Sequence, residues 1–200
     1  MKKILIIFMF LFLLTGCGKN NNELVMVTEA GFAPYEYYED GKIVGVDIDI
    51  AEEIAKKMGK KLVIKDVAFD SIINEVKSSK SDFGAAGISY SEEREKEVDF
   101  SINYTTSKQV VVIKKDSGIT IDNLDGKKIA VQLGSIGDGY VTSNYKKSEI
   151  VRQKKYLQAI EDLKSDKVDC VVMDELPALE FVKVNDNLMV LDKELTSDSY

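Results

Sequence analysis

Arg94 is the first residue whose type and position suggest chemistry. It closes the stretch GISYSEER, residues 87–94, and it is one of two arginines among 27 basic residues, the other being Arg152. Lysine presents a point charge, whereas the planar guanidinium of arginine grips a carboxylate with two parallel hydrogen bonds. Ser91 is placed to cap a short helix, which sets Arg94 one turn in, beside a strand end. We interpret Arg94 as a candidate carboxylate clamp; the alternative is a solvated side chain in the polar run 92–97.

Two carboxylates stand where predicted strands end. Asp174 follows the apolar run VDCVVM, residues 168–173, and Glu29 follows a first strand predicted over residues 24–28. Ligands of open α/β sheets bind outside the carboxyl ends of the strands, so both carboxylates are candidates for contact with a ligand. For Asp174 the alternative is a helix N-cap, because the helical pattern ELPALEFV begins directly after it.

A Gly-Ser turn and a group of aromatics complete the candidate site. LGSIGDGY, residues 133–140, opens a predicted helix, and backbone N–H groups at a helix start favour an anion. Its spacing is not that of a Walker loop. EAGFAPYEYY, residues 29–38, concentrates aromatics after the first strand. There Phe32, with the later Phe69, lines either a pocket or the edge of a core.

Taken together, these groups predict a receptor for a zwitterion. Arg94, the Ser89 hydroxyl and the N–H groups of the helix start would bind a carboxylate. Asp174 and the Gly87 carbonyl would bind an ammonium, and the aromatics would pack against the rest of the ligand.

The composition argues against several other functions. The chain contains no histidine, which removes Ser-His-Asp and Cys-His catalysis and the commonest zinc ligand. A formal charge of −7 with scattered lysines argues against nucleic acid as a partner. Cys170 lies in an apolar run and is expected to be a buried strand residue rather than a reactive thiol. We therefore expect no catalytic residue, no cofactor and no metal.

The first 16 residues are predicted to be a leader. Two lysines precede an apolar run over residues 4–14, which is too short to cross a membrane as a helix. The sequence Leu14-Thr15-Gly16-Cys17 resembles the lipobox of bacterial lipoproteins, in which the cysteine is lipidated and becomes the new N-terminus. Residues 17–22 would then be a tether, and Cys17 would anchor the protein to the outer face of the cytoplasmic membrane. The alternative is a plain signal peptide with an incidental cysteine.

The elements that must position these residues alternate between strands and helices. Strands are predicted over residues 24–28, 42–46, 62–67 and 83–88, with helices over 47–58 and 70–79. The order restarts with strands over residues 109–115, 128–133, 150–155, 168–173 and 188–191, and with helices from residues 136, 157 and 174. Such an order predicts parallel sheets covered by helices. The helix that begins at an Asp47 N-cap is predicted to share one apolar face among Ile48, Ile50, Ala51, Ile54, Ala55 and Met58.

The two halves of the chain each contain a similar sequence segment. Residues 72–87 match residues 159–174 as a helix, a polar turn and a buried strand. The equivalent strand ends carry Gly87 and Asp174. We interpret this repetition as two similar lobes, the alternative being a chance match between ordinary helix-turn-strand units.

Four stretches resemble the extracellular solute-binding proteins of bacterial ABC amino-acid importers. They are GFAPYEYYEDGKIVGVDIDIAEEIAKKMG, FDSIINEVKSSKSDFGAAGISYSEEREKEVDFS, LDGKKIAVQLGS and AIEDLKSDKVDCVVMDE. The resemblance implies an α/β fold of two similar, hinge-linked lobes with mostly parallel sheets flanked by helices, the periplasmic-binding-protein type II fold. It also implies closure over the ligand by hinge motion and delivery to a membrane permease.

The resemblance also assigns roles at matching positions, for a free L-amino acid that we expect to be polar or basic. The α-carboxylate would meet Arg94, Ser89, Ser135 and the amide of Ile136, whereas the ammonium would meet Gly87, Ser89 and Asp174. Phe32 and Phe69 would sandwich the ligand, and Glu29, Gln132 and Met173 would set side-chain preference. Ser89 and Ser135 stand where the family more often has threonine, which is a mild departure.

The implied domains are a first lobe over residues 23–102, a hinge crossing over 103–108, a second lobe over 109–196 and the start of a return crossing at 197–200. In the family, the return crossing leads to further elements of the first lobe. We therefore expect the first lobe of this chain to be incomplete.

Two other functions fit the same sequence. Some relatives of this fold resemble prephenate- or arogenate-type dehydratases, for which Glu29 would serve as a proton donor in the cleft. A ligand sensor docked to a membrane kinase is also compatible, because such a role needs no signalling domain on the same chain.

Overall fold

The computed structural model describes residues 21–200, in which the chain forms two α/β lobes. The predicted leader and Cys17 lie outside the described residues. The first lobe contains β1 (Glu23–Thr28), β2 (Tyr37–Glu39), β3 (Lys42–Val44), α1 (Val46–Lys57), β4 (Lys61–Asp66), α2 (Ile72–Lys77), β5 (Phe83–Gly84) and α3 (Glu92–Glu95). β1 pairs in parallel with both β4 and β5, while β2 and β3 form a separate hairpin.

The second lobe contains β6 (Thr106–Lys114), β7 (Lys128–Gln132), α4 (Ile136–Asn144), β8 (Glu149–Gln153), α5 (Tyr156–Lys164), β9 (Cys170–Asp174), α6 (Glu175–Lys183), β10 (Leu188–Val190) and β11 (Thr196–Ser199). Its strand order is β10-β6-β9-β7-β8, and β11 also pairs with β6. β7 runs parallel to β8 and β9, whereas β6 runs antiparallel to β9, β10 and β11. The prediction of two lobes built on parallel strand-helix-strand units is confirmed, with antiparallel pairs around β6.

The core of the second lobe lies on both faces of its sheet. Val110 and Val112 pack on one face and Val111 and Ile113 on the other, and all four are buried. An uninterrupted apolar strand of this kind is typical of a sheet that helices cover on both sides. Cys170 is fully buried, and burial raises the pKa of its thiol to about 12, so it behaves as a core residue as predicted.

The prediction for α1 was partly wrong. The helix begins at Val46, its N-cap is Gly45, and Asp47 is instead buried in the first turn. Asp47 has another task, because its carboxylate accepts hydrogen bonds from the Gly87 amide at 2.9 Å and from the Tyr104 hydroxyl at 2.7 Å. The predicted apolar face is split between three buried residues, Ile48, Ala51 and Ala55, and three exposed ones, Ile50, Ile54 and Met58.

The strand predicted over residues 83–88 is also much shorter in the structure. β5 ends at Gly84, and the chain then leaves the sheet on its way to Gly87. Gly87 has φ +52°, which is incompatible with a continuing strand.

Two antiparallel segments lie where the lobes meet. β6 begins at Thr106, within the segment predicted to cross between lobes, and β11 pairs with this first part of β6 from Thr106 to Gln109. The Tyr104 amide donates to the Tyr200 carbonyl at 2.7 Å, which extends the pairing. The carboxyl end of β9 lies beside the same part of β6, because Gln109 pairs with Asp174.

An apolar groove of about 630 Å³ lies on the first lobe. Its lining includes Ile50, Ile54, Phe83, Val98 and Phe100, so the exposed side of α1 forms part of it. The expectation that further elements belong to this lobe stays a prediction. Within residues 21–200, no helix combines the length and the apolar character that crossing a bilayer requires.

Candidate functional site

Arg94 lies in the cleft between the lobes. Ser91 caps α3 as predicted, because its hydroxyl accepts from the Arg94 amide at 3.2 Å. The guanidinium donates to the Ser89 carbonyl at 2.6 Å and, across the cleft, to the Gly134 carbonyl of the second lobe at 2.9 Å. It also stands 5.6 Å from the centre of the Phe69 ring. Arg94 is therefore not a solvated residue of a polar helix.

The two arginines of the chain differ in their partners. Arg152 forms an ion pair with Asp138, with 2.9 Å between Nε and Oδ1. In the part of the chain that the structure describes, Arg94 forms no ion pair with a carboxylate. Burial lowers the pKa of Arg94, opposed by the charges of Asp198 and Asp174. A guanidinium has more N–H donors than two carbonyls use, so Arg94 retains the capacity to bind a carboxylate.

Asp174 supplies the opposite charge at the carboxyl end of β9. It occupies the N-cap position of α6, but its side chain does not cap that helix. Its Oδ1 instead accepts from Ser107 Oγ at 2.8 Å, from Gln109 Nε2 at 2.9 Å and from the Tyr200 hydroxyl. No basic side chain pairs with Asp174 among residues 21–200. Burial raises the pKa of its carboxyl to about 6, opposed by these hydrogen bonds.

Gly87 and Ser89 line the cleft together with Arg94 and Asp174. The Gly87 amide is held by Asp47, and an added Cβ would come within 2.6 Å of Phe32 Cε1, so only glycine fits here. The buried Ser89 presents its carbonyl to Arg94 and donates its hydroxyl to Asp198 Oδ2. Hydrogen bonds within the protein therefore hold both residues in place without a ligand.

The Gly-Ser turn of the second lobe faces Arg94. Ser135 is the N-cap of α4, and its hydroxyl accepts from the Asp138 amide at 3.1 Å. Ile136 is the first residue of α4, where backbone N–H groups have no partner within the helix. The turn thus combines a helix start with the Gly134 carbonyl that accepts from Arg94.

Aromatic rings enclose the cleft. Phe32 is buried and stacks on Tyr156, with 5.8 Å between ring centres, and on Tyr35 at 5.7 Å. Phe69 lies under the Arg94 guanidinium, at the start of the turn that leads into α2. The rings of Phe32 and Phe69 both border the cleft, and their role as a ligand sandwich stays a prediction.

A second polar cluster lies at the Glu29 end of the cleft. The buried Glu29 accepts from Gln132 Nε2 at 3.1 Å, and Lys155 Nζ lies 3.0 Å from its Oε1. Lys155 also lies 3.3 Å from Asp66 Oδ2. Burial raises the pKa of Glu29, opposed by the hydrogen bond and charge of Lys155. Two carboxylates of the first lobe thus meet one ammonium of the second.

The structure brings the predicted residues together. A cavity of about 10 Å³ is lined by Phe32, Phe69, Gly87, Ser89, Arg94, Gln132, Ser135, Ile136, Tyr156, Asp174 and Asp198. Nine of these are among the eleven candidates from the sequence, and another candidate, Glu29, accepts a hydrogen bond from Gln132. Met173 is fully buried in the core instead.

Sequence reasoning missed several residues of this site. Asp198 and Tyr200 come from the last strand and the residue just beyond it, where no local motif marked them. Lys155 was one of many lysines, and its spacing carried no signal. For Tyr156 a signal existed, since it opens the amphipathic pattern of α5 directly after a strand.

Comparison with known proteins finds a matching family for most of the chain. Residues 24–170 match the model for bacterial extracellular solute-binding proteins, family 3. The arginine-binding extracellular protein ArtP of Bacillus subtilis is 36% identical over 187 residues, which span 88% of this chain and 73% of that protein. The ABC transporter arginine-binding protein 1 of Escherichia coli is 32% identical over 86% of this chain and 71% of its own length.

Solved structures agree in fold as well. The arginine-bound form of a truncated ArgBP from T. maritima has a TM-score of 0.86 and 38% identity, covering 90% of this chain and 86% of that one. An ancestral arginine-binding protein bound to glutamine has a TM-score of 0.84 and 37% identity, covering 91% of this chain and 83% of that one.

Proposed function

Because this chain belongs to the bacterial extracellular solute-binding proteins of family 3, we propose that it binds a free L-amino acid between its lobes for an ABC importer. One observation carries the proposal. Within residues 21–200, Arg94 has no carboxylate partner and the buried Asp174 has no basic partner. A ligand with an α-carboxylate and an α-ammonium provides both missing partners, each through charge-assisted hydrogen bonds.

The proposed contacts follow from the positions of the donors and acceptors. Arg94, with the start of α4, binds the carboxylate, and Asp174, with the Gly87 carbonyl, binds the ammonium. Closure of the two lobes brings the Gly134-Ser135 turn to the Arg94 side of the ligand.

The proposed ligand is a polar or basic amino acid, and L-arginine is the first candidate. Glu29 and Asp66 outnumber Lys155 at the far end of the cleft, which leaves that end with one net negative charge for a cationic side chain. ArtP and ArgBP are named for arginine, which supports the same candidate. The ancestral protein bound to glutamine makes L-glutamine the second candidate.

The proposed location is the outer face of the cytoplasmic membrane, through a lipid on Cys17. The lipobox-like sequence before Cys17 supports this, and the proposed partner there is the importer's permease. Mass spectrometry of the membrane fraction should find an N-terminal acylated Cys17. A soluble product that begins at another residue would contradict the anchor without affecting ligand binding.

A thermal-shift screen of the twenty amino acids tests the binding function. With the full chain in mild detergent, we expect L-arginine or another polar amino acid to raise the melting temperature, because a ligand that binds only the native state stabilises it. A screen in which no amino acid raises the melting temperature would contradict the proposed function.

A further inference from the structure

The last strand, β11, and the residue just beyond it contact Ser89 and Asp174, two of the residues expected to meet the ligand's ammonium. Its Asp198 accepts a hydrogen bond from the Ser89 hydroxyl, and Tyr200 just beyond it donates to Asp174. Side chains two residues apart in an extended segment lie on the same face, which explains why both reach the cleft. The strand is held in place by its pairing with β6 and by the Tyr90 amide, which donates to the Ser199 carbonyl at 3.3 Å.

The bond between Ser89 and Asp198 fixes what Ser89 offers to a ligand. A serine hydroxyl has one hydrogen to donate and two lone pairs to accept with. Because the hydrogen is directed to Asp198, the lone pairs of Ser89 remain for a donor in the cleft. An ammonium is such a donor, whereas a carboxylate is not.

Resting on the proposed function, we propose that Asp198 is a specificity-determining residue of the ammonium subsite. It orients Ser89 as an acceptor and adds a second negative charge beside Asp174. The site therefore selects carboxylic acids that carry an α-amino group and rejects the same acids without it.

The unshared oxygen of Asp198 supports this role. In the described part of the chain, Oδ1 of Asp198 is buried and has no hydrogen-bond partner. Asp198 lines the same cavity as Asp174 and Arg94. A buried carboxylate oxygen without a donor is unfavourable on its own, and a ligand N–H group removes that cost.

A competing role makes the opposite prediction. Asp198 could act as an internal anion that takes the place of the ligand's carboxylate beside Arg94, where its charge acts most strongly among the acidic groups. Removal of such an anion would tighten the binding of every carboxylate ligand. If Asp198 instead serves the ammonium, removal of its carboxylate weakens the binding of amino acids and does not weaken the binding of acids that lack the amino group.

The test is calorimetry on the full chain in detergent. It measures the affinity for L-arginine and for its analogue without the α-amino group, 5-guanidinopentanoic acid. Asp198→Asn keeps an acceptor for Ser89 and removes the charge, whereas Asp198→Ala removes both. We expect the Kd for L-arginine to rise about tenfold in Asp198→Asn and further in Asp198→Ala. The Kd for the analogue should stay unchanged or fall. The exposed Asp192, changed to Asn, is the matched control in the same terminal segment.

Several outcomes would overturn the inference. Tighter or unchanged binding of L-arginine by Asp198→Asn contradicts an ammonium role, as does an equal loss of affinity for both compounds. Melting curves identify a variant that has merely lost its fold, because such a loss weakens the binding of both compounds alike. If the wild-type chain binds no amino acid at all, the proposed function fails, and that result is distinct from failure of Asp198 alone. If L-arginine is not the ligand, the amino acid found in the thermal-shift screen and its analogue without the amino group replace the two probes.

Discussion

Lys155 of the second lobe places its ammonium 3.0 Å from Oε1 of Glu29 in the first lobe. The pair closes the far end of the cleft, and Glu29 is nearly fully buried. A basic ligand side chain that reaches Glu29 has to compete with Lys155 for the same carboxylate. Lys155 is therefore expected to tune which side chains the protein accepts.

Replacement of Lys155 by Gln should shift preference towards basic ligands. Without its ammonium, Glu29 and Asp66 have no internal cation and gain more from a guanidinium ligand. We expect the ratio of affinities for L-arginine over L-glutamine to rise severalfold by calorimetry, of the order of 1 kcal/mol. The neighbouring Lys154, which is exposed, gives the matched control Lys154→Gln. A ratio that falls in Lys155→Gln would show that Lys155 helps rather than competes.

Binding should weaken in acid because of Asp174. Its pKa is raised to about 6, so its carboxyl takes up a proton as the pH falls below that value. The ligand's ammonium favours the ionised form, so binding below pH 6 requires release of this proton. We expect affinity to fall by up to about tenfold for each pH unit between pH 6 and 5, with further loss from Glu29, whose pKa is also raised.

The variant Asp174→Asn tests whether protonation of Asp174 causes the loss of affinity in acid. It should bind more weakly at pH 7, and its affinity should change less between pH 7 and 5 than that of the wild type. Calorimetry at several pH values measures both. A wild-type affinity that is constant down to pH 5 would mean that Asp174 does not meet the ammonium.

Glu36 should make stability depend on pH. Burial and the charge of Asp47 raise the pKa of Glu36 well above its ordinary value of 4.5. The folded protein thus keeps a proton that the unfolded chain has lost, so the free energy of unfolding falls as the pH rises above 4.5. Glu36→Gln should lose less stability than the wild type between pH 5 and 7 in urea denaturation. Glu39→Gln, at an exposed site in β2, should retain the wild-type loss; equal losses in all three proteins would refute the prediction.

Gly87 should be required both for stability and for binding. An alanine there meets Phe32 at 2.6 Å and takes an unfavourable φ of +52°. Gly41 has φ +76° but no atom within 4 Å of an added Cβ, so Gly41→Ala isolates the cost of φ, about 1 kcal/mol. We expect Gly87→Ala to lose both melting temperature and ligand affinity, and Gly41→Ala to lose a little stability only. Normal affinity in Gly87→Ala would remove Gly87 and Phe32 from the site.

Much of the fold and of the site was predictable because the signals are local. The strand of residues 128–132 and the helix that follows it were predicted from apolar patterns and a Gly-Ser turn, and Arg94 from the rarity of arginine. These features depend on neighbours within a few residues. The cleft then follows from the rule that strand ends converge.

The remainder depends on contacts between distant residues. Asp47 does not cap the helix, because its carboxylate accepts a hydrogen bond from the amide of Gly87, 40 residues later. Asp198 reaches Ser89 across 109 residues. No pattern within one element encodes such pairs, since only tertiary packing brings the two residues together.

We propose that Arg94 binds the carboxylate of an amino acid. In Arg94→Ala the carboxylate loses its charged partner in a closed cleft, where such a loss costs about 2–5 kcal/mol. Arg94→Lys should recover part of the affinity, because an ammonium restores the charge without the planar pair of donors. The exposed Lys96, which follows the same short helix, gives the control Lys96→Ala.

Calorimetric titration of Arg94→Ala with the amino acid that stabilises the wild type tests this claim most directly. We expect an affinity at least about 30-fold weaker than that of the wild type, with Lys96→Ala unchanged and the melting temperature of Arg94→Ala nearly normal. Near-normal affinity in a folded Arg94→Ala protein would contradict the claim.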